Sequence, residues 1–165
     1  GATALLARLI CRGSGKSLLE YANDRLFKPL GIDTVEWVRG LDGVEAPASG
    51  LRLSPLDLAK VGRMLLNRGL WDGHVVVPES WISESTVRRV VVDQDMSYGY
   101  HWWVASHWNW YAAFGNGGQR MTVLPGLDAV LVVTAGNYDK PDAWRVPVSV
   151  LADFVVPYLT GPAST

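Results

Sequence analysis

The sequence WNWYAAFGNGGQRMTVLPGLDAVLVVT, residues 108–134, decides the fold because it holds three apolar segments separated by two breaks. The breaks are GNGGQ at 115–119 and PGLD at 125–128. Aromatic and β-branched residues favour strands, and a Pro-Gly pair is typical of a turn. The stretch therefore predicts three strands of an antiparallel meander with short connections.

Three glycines lie in the first break, between two strong strand formers. Glycine weakens a strand, so the break indicates either a bulge or turn, or a place where a ligand or another backbone approaches closely. Uncovered N–H groups there could face a substrate oxygen, the geometry that an oxyanion hole requires. From the glycines alone, the bulge or turn is the simpler interpretation.

Outside this stretch the pattern is mainly helical. Ser17 and Ser54 are predicted N-caps, and glycines follow each of the first three helical segments. Alternation with a period of two begins at Tyr98, through residues 98–104. A closing helix is predicted with its apolar face on Val148, Leu151, Ala152, Val155 and Leu159.

The fold class predicted from this order is α+β, an antiparallel sheet meander with flanking helices. The chain is expected to be a single unit over residues 1–165. Its part up to about residue 97 is mostly helical, and its part 98–165 holds the antiparallel strands and the C-terminal helix.

Composition excludes several classes of function. Fifteen basic and sixteen acidic residues give a net charge of −1, which provides no attraction for nucleic acid or for an anionic membrane. No apolar run approaches the ~20 residues that a membrane span requires. The single cysteine, Cys11, excludes an internal disulfide.

Three motifs resemble catalytic or ligand-binding signatures but lack the flanking structure or spacing that those signatures require. Residues 13–17, GSGKS, end like a phosphate-binding loop, yet a helix precedes them where that loop needs a strand. Residues 21–23 match a Tyr-x-Asn signature, but they lie in the middle of a predicted helix. His74, His101 and His107 have no metal-ligand spacing, so neither a metal nor a cofactor is expected.

Further segments follow one another along the chain before the glycine break, namely GKSLLEY at 15–21, LFKPLGI at 26–32, ASGLRLSPLDLA at 48–59, LLNRG at 65–69, WDG at 71–73 and YGY at 98–100. As an ordered set they resemble the serine β-lactamase and penicillin-binding-protein-like hydrolases. That family includes class C β-lactamases, D-alanyl-D-alanine carboxypeptidases, esterases and amide-oligomer hydrolases. The resemblance implies the C-terminal part of a β-lactamase/transpeptidase-like fold.

In that family a serine attacks a substrate carbonyl and forms an acyl-enzyme. A lysine and a tyrosine take up and return the proton of the serine hydroxyl. The resemblance places Asn116, Gly117 and Gly118, as substrate-binding residues, where the family has a Lys-Thr-Gly or His-Thr-Gly motif. It implies that the backbone N–H of Gln119 is half of the oxyanion hole. Because Asn116 is not basic, an ester or amide is expected as substrate over a β-lactam.

Further substrate-binding candidates are Tyr100, Trp102 and Asn137. The family's Ser-x-x-Lys motif is absent, since none of the four lysines has a serine three positions before it. The resemblance therefore implies that the nucleophile and its base lie upstream of Gly1. The chain alone is expected to be inactive, and the missing N-terminal portion of the same domain is its expected partner.

Two non-catalytic alternatives stay open. The aromatic set from Trp102 to Trp110 could bind glycans or aromatic ligands, although packing in the core or at its rim is the simpler interpretation of these side chains. The chain could also be a non-catalytic partner that completes its fold with a separate N-terminal chain.

Overall fold

The computed structural model describes residues 1–105 and 109–161. Its contacts divide the chain into two compact units, Gly1–Asp57 and Leu58–Thr165. The expectation of a single unit over 1–165 stays a prediction.

The first unit is mainly helical. Its helices are α1 (Ala2–Ser14) and α2 (Leu18–Ala22), and a π-helical turn (Asn23–Phe27) and a 3-10 turn (Lys28–Leu30) continue α2. Two short antiparallel strands follow, β1 (Glu36–Trp37) and β2 (Leu51–Arg52). The buried side chains that hold this unit together include Phe27, Leu30 and Ile32.

Helix α3 (Pro55–Leu66) begins just before the boundary between the units. A small hairpin of β3 (Leu70–Trp71) and β4 (His74–Val75) and helix α4 (Glu79–Ser85) come next. The last helical segment of the described residues is continuous and consists of α5 (Arg145–Ser149), a π-helical stretch (Val150–Val155) and α6 (Val156–Thr160).

Between α4 and α5 lies a six-stranded antiparallel sheet in which neighbours in sequence are neighbours in space. Its strands are β5 (Val90–Val91), β6 (Met96–Tyr98), β7 (Trp103–Ala105), β8 (Tyr111–Gly115), β9 (Gln119–Leu124) and β10 (Ala129–Val133). The predicted meander and the α+β class are therefore confirmed.

The period-two stretch 98–104 is divided between two strands. Strand β6 ends at Tyr98 and β7 begins at Trp103, because the Gly99 N–H donates to the Trp102 carbonyl at 2.8 Å and closes a turn. His101 takes a left-handed φ of 65° within that turn. The sheet also starts at Val90, ahead of the predicted boundary at residue 98.

The closing helical segment packs on the sheet, but its buried face differs from the predicted one. Leu151 and Val156 are buried with Leu124, whereas Leu159 is 40% exposed. The π-helical stretch widens the turn, so the residue that returns to the sheet is Val156 and not Leu159.

The two faces of the sheet are covered by different elements. A Cβ atom at Gly62 of α3 would lie 2.5 Å from Val130 Cγ1 and 3.3 Å from Met121 Sδ, so α3 approaches the face that carries Met121. Side chains alternate along a strand, so Arg120 lies on the opposite face, beside its cross-strand partner Phe114. Phe114 and Arg120, which flank the glycine break, therefore lie on the sheet face that α3 does not approach.

Candidate functional site

The glycine break is the turn of the β8–β9 hairpin. Gly115 pairs with Gln119 in the ladder, which leaves residues 116–118 as a three-residue connection. Gly117 and Gly118 have φ values of 81° and 90°, a region that residues with a Cβ atom rarely adopt. The turn interpretation of this segment is confirmed, and its glycines are required by the backbone.

Another segment of the chain lies directly against this turn. A Cβ atom at Gly117 would lie 2.8 Å from Tyr138 Cδ1, and one at Gly118 would lie 2.8 Å from the Ala143 carbonyl oxygen. The Asn137 N–H donates to the Gly117 carbonyl at 3.0 Å. The structure thus brings the candidate residues Asn137 and Gly117 together, and the stretch that follows β10 holds the turn in place.

Gln119 is the first residue of β9 and is half-buried. Its side-chain amide donates to the Ala135 carbonyl, which joins the start of β9 to the same stretch after β10. Asn116, at the tip of the turn, is exposed. The side-chain contact of Gln119 therefore fixes the start of β9 to the stretch after β10, while the Asn116 side chain at the tip faces solvent.

A pocket of about 200 Å³ adjoins the turn. On one side it is lined by residues 114–120, and on the other by Lys140, Ala143, Trp144 and Pro147. Among these lining residues the charged ones are two cations, Arg120 and Lys140. The pocket therefore combines a glycine backbone, aromatic side chains and positive charge.

Arg120 is buried, with 5% of its surface exposed. Its Nε donates to Thr122 Oγ1 at 2.7 Å, and its Cζ lies 4.6 Å from the ring centroids of both Trp110 and Phe114. Burial lowers the pKa of Arg120 to about 10, so the side chain is still protonated at neutral pH. Its Nη2 is buried and has no hydrogen-bond partner in the described part of the chain.

The sequence reasoning missed Arg120, Lys140 and Trp144. A signal existed for Arg120, which is the single charged residue between positions 108 and 124. A charge inside an apolar ladder calls for an explanation, because arginine is rarely fully buried without a partner. Lys140 and Trp144 lie beyond the last strand, and nothing local in the sequence indicates that they return to the glycine turn.

The remaining substrate-binding candidates lie elsewhere and do not line this pocket. Tyr100 stacks on Trp81 at 5.8 Å between ring centroids, with the Arg89 guanidinium 4.2 Å above its ring. Trp102 packs edge-on against Tyr111 at 5.4 Å. Burial raises the pKa of Tyr111 to about 12, as expected for a phenol in the core.

Two of the aromatic residues between 102 and 110, Trp103 and Trp110, pack on the same side chain, Phe114. Trp103 stacks on Phe114 at 5.4 Å, and Trp110 contacts Arg120. Both side chains are half-buried, and Trp108 lies outside the described residues. Trp102 instead packs on Tyr111, so the described tryptophans of this stretch divide between two contacts.

The described residues contain no group of three His, Cys, Asp or Glu side chains that could hold a metal ion. His74 Nδ1 lies 2.8 Å from the Asp72 carbonyl, and His107 lies outside the described residues. In residues 1–105 and 109–161, no helix has the length and apolar character needed to cross a bilayer.

Three solved structures share the fold. A protein described as a 6-aminohexanoate-dimer hydrolase, from Bacillus anthracis, superposes with a TM-score of 0.84 at 23% identity, over 94% of this chain and 42% of its own. An octameric penicillin-binding protein homologue from Pyrococcus abyssi gives 0.72 at 19% identity, over 96% and 44%. Simvastatin synthase from Aspergillus terreus gives 0.72 at 14% identity, over 94% and 53%.

The chain therefore spans about half the length of these structures. No curated protein matches the sequence. The family model named Beta-lactamase matches residues 1–147, which is most of the chain. The ordered segments, the meander with its flanking helices and this match agree, and the chain belongs to the Beta-lactamase family.

Proposed function

We propose that this chain is the C-terminal portion of a serine hydrolase that cleaves ester or amide bonds through an acyl-enzyme. The observation that carries the proposal is the glycine turn at 116–118, which is held to the stretch after β10 by the Asn137 N–H and lies against Tyr138. An oxyanion hole requires backbone donors that do not reorganise during the reaction, and a turn fixed in this way meets that requirement.

In the proposed mechanism a serine oxygen attacks the carbonyl carbon of the substrate, and the carbonyl oxygen becomes negatively charged. The backbone N–H of Gln119 donates to that oxygen, while Asn116 and the two glycines after it contact the acyl group. Asn137 acts as a positioning residue, because its N–H bonds to the turn. The serine and its base come from outside residues 1–165, since the sequence has no Ser-x-x-Lys motif.

An ester or amide substrate is preferred in this proposal over a β-lactam or a peptide. The position where the family has a basic residue holds Asn116, which cannot form a charge-assisted contact with a substrate carboxylate. One structure of the same fold, with a TM-score of 0.84, is described as a 6-aminohexanoate-dimer hydrolase, and this description supports a hydrolase reaction.

Active-site labelling tests the proposal. The protein that contains this chain should react stoichiometrically with a fluorophosphonate, and peptide mapping should place the label on a serine outside residues 1–165. The chain of 165 residues alone should remain unlabelled and should not hydrolyse p-nitrophenyl acetate above the rate of a serum albumin control. A labelled serine within residues 1–165 would refute the assignment of the nucleophile.

Two variants at the turn separate a role of the Gln119 backbone from a role of the Asn116 side chain, with kcat compared for the folded fraction of each protein. Asn116→Ala leaves the backbone donors in place, so kcat for a simple ester should change little. Gly118→Ala disturbs the backbone next to Gln119 and should lower kcat by about 10²-fold or more, the usual effect of removing an oxyanion donor. Equal effects of the two variants on kcat would count against the role of Gln119.

A further inference from the structure

Strand β5 forms one edge of the six-stranded sheet, and no described strand pairs with its outer side. Its valines are exposed, with 62% of Val90, 78% of Val91 and 50% of the adjoining Val92 open to solvent. An exposed apolar strand edge is a template for pairing with another strand. This edge of the sheet is therefore suited to an additional strand.

The backbone of Val91 is directed outward from the sheet. The Val92 N–H donates to the Met96 carbonyl at 2.9 Å, so this opposed pair is joined by a hydrogen bond between β5 and β6. Val91 and Ser97 form the next pair in the register. Hydrogen-bonded and non-hydrogen-bonded pairs alternate along an antiparallel ladder, so the N–H and C=O of Val91 point away from β6. A further strand could bond to both groups.

The sequence around Val91 is self-complementary. Residues 89–93 read RVVVD, with a cation before the three valines and an anion after them. When two copies of this segment pair antiparallel about a two-fold axis at Val91, Arg89 of each copy lies opposite Asp93 of the other. Val91 then lies opposite Val91, and Val90 lies opposite Val92. Opposite charges and β-branched residues are favourable cross-strand pairs, so each opposed pair in this register is stabilising.

Other registers of the same pairing are unfavourable. A shift of one residue places the inward-directed backbone of Val90 opposite the outward-directed backbone of Val91, and the hydrogen bonds between the strands are lost. A shift of two residues restores the backbone match but places Val91 opposite either Arg89 or Asp93. The segment therefore specifies one register.

The two charged side chains are already held in place within their own chain. The Arg89 guanidinium lies 4.2 Å above the ring of Tyr100 and donates to the Glu84 carboxylate. Asp93 Oδ1 accepts from the Met96 N–H at 2.8 Å. Such side chains lose little freedom on association, but Glu84 offsets part of the Arg89 charge. The charged pairs therefore set the register, while the backbone hydrogen bonds and the valines supply the affinity.

We propose that β5 pairs antiparallel with β5 of a second copy of this protein, about a two-fold axis at Val91, so that the two sheets join into one. This inference does not depend on the proposed hydrolysis, because the pairing requires neither a nucleophile nor a substrate. The paired segment is short, so the dissociation constant should be roughly micromolar.

Sedimentation velocity of the protein that contains this chain tests the pairing over about 1–100 µM. The protein should change from monomer to dimer as its concentration rises, and hydrogen exchange at the Val91 amide should slow in parallel. A protein that is monomeric throughout would overturn the proposal. If the Val91 amide of that monomer is nevertheless protected, another segment of the same protein covers the edge.

Lysine variants locate the interface. Val91→Lys places two like charges opposite each other at the axis and should raise the dissociation constant by about tenfold or more. Val75→Lys is the matched control, because Val75 is 67% exposed in β4, outside the paired segment, and this variant should associate like the parent. Equal dissociation constants for the two variants would refute the position of the interface.

A proline variant tests the backbone hydrogen bonds. Val91→Pro removes an N–H that β6 does not use, and proline is tolerated at such edge positions, so β5 should still pair with β6. The dissociation constant should nevertheless rise by about tenfold or more, whereas Val91→Thr, which keeps the N–H and the β-branch, should stay within about threefold of the parent. If Val91→Pro does not fold, Val91→Lys decides.

Cysteine variants in a Cys11→Ser background test the register. Val91→Cys should form a disulfide-linked dimer with oxidised glutathione, because opposed residues of a hydrogen-bonded pair have Cα atoms about 5.5 Å apart, within reach of a disulfide. Val90→Cys should link about tenfold more slowly, because the two copies of residue 90 are diagonal neighbours roughly 7–8 Å apart. Equal linking rates would refute an axis at Val91.

Discussion

Replacing Gly118 with alanine should destabilise the protein strongly, for two reasons that the structure separates. Its φ of 90° lies in a region where an L-residue pays roughly 1–2 kcal/mol. Its new Cβ would lie 2.8 Å from the carbonyl oxygen of Ala143, and this atom belongs to the backbone and cannot rotate away. Overpacking of this kind costs about 1–3 kcal/mol, so the free energy of unfolding should fall by about 2–5 kcal/mol.

Urea unfolding followed by tryptophan fluorescence measures this loss. Gly126→Ala is the matched control, because a Cβ there meets nothing within 4 Å and its φ is not in the left-handed range. The control should stay within about 0.5 kcal/mol of the parent. A Gly118→Ala variant as stable as Gly126→Ala would refute both the dihedral strain and the close approach of the Ala143 backbone.

Three other changes have defined outcomes. Ser17→Ala removes a hydroxyl that accepts from the Glu20 N–H at 3.2 Å, so thermal unfolding should show a free energy of unfolding lower by about 0.5–2 kcal/mol. The control Ser149→Ala should show no such loss, because the Ser149 side chain makes no capping hydrogen bond. Hydrogen bonds from Lys16, and to a smaller extent from Lys28, hold the pKa of Asp24 below its usual value of 3.8. The contribution of Asp24 to folding stability is therefore present above pH 3.8 and is lost as the pH falls through the lowered pKa. Asp24→Asn should therefore flatten the fall in Tm as the pH decreases below 3.8, and an unchanged slope there would contradict the pairing. Arg120→Met should unfold in urea within about 1 kcal/mol of the parent, because a buried charge adds little net stability; a loss above about 3 kcal/mol would mean that Arg120 is structural.

Helix starts and ends in the first unit were predictable because their signals are local. Ser17 and Glu20 form a capping box, with the Glu20 carboxylate accepting from the Ser17 N–H at 2.8 Å. Gly15 ends α1 with a left-handed φ of 69°. Each signal involves residues within one helical turn, so the sequence contains all of the information needed.

The strands between 90 and 105 were not predictable in the same way. Strands β5, β6 and β7 have only two or three residues each, and the alternation of residue types continues through the turn between β6 and β7. That turn forms where the Tyr100 N–H donates to the Ser85 carbonyl of α4 at 2.9 Å, a contact between distant residues. The alternation therefore does not show where β6 ends and β7 begins, because tertiary contacts place the turn between them.

The sequence by itself determined the class of the fold, the place of the glycine turn and the resemblance to a hydrolase family. These depend on alternation, on turn residues and on the order of short motifs, all of which are written along the chain. The oxyanion role of Gln119 follows from the same motif and stays a prediction.

Only the tertiary structure decided what surrounds the turn. Residues 137–147 return to the hairpin after β10, where Asn137 bonds to Gly117 and Lys140 lines the pocket with Arg120. These residues are about twenty positions apart, and no short-range pattern encodes their meeting. Side-chain burial depends on which segments pack together in space. The burial of Arg120 is therefore visible only in the folded chain, where β9, the aromatic rings and residues 137–147 lie together.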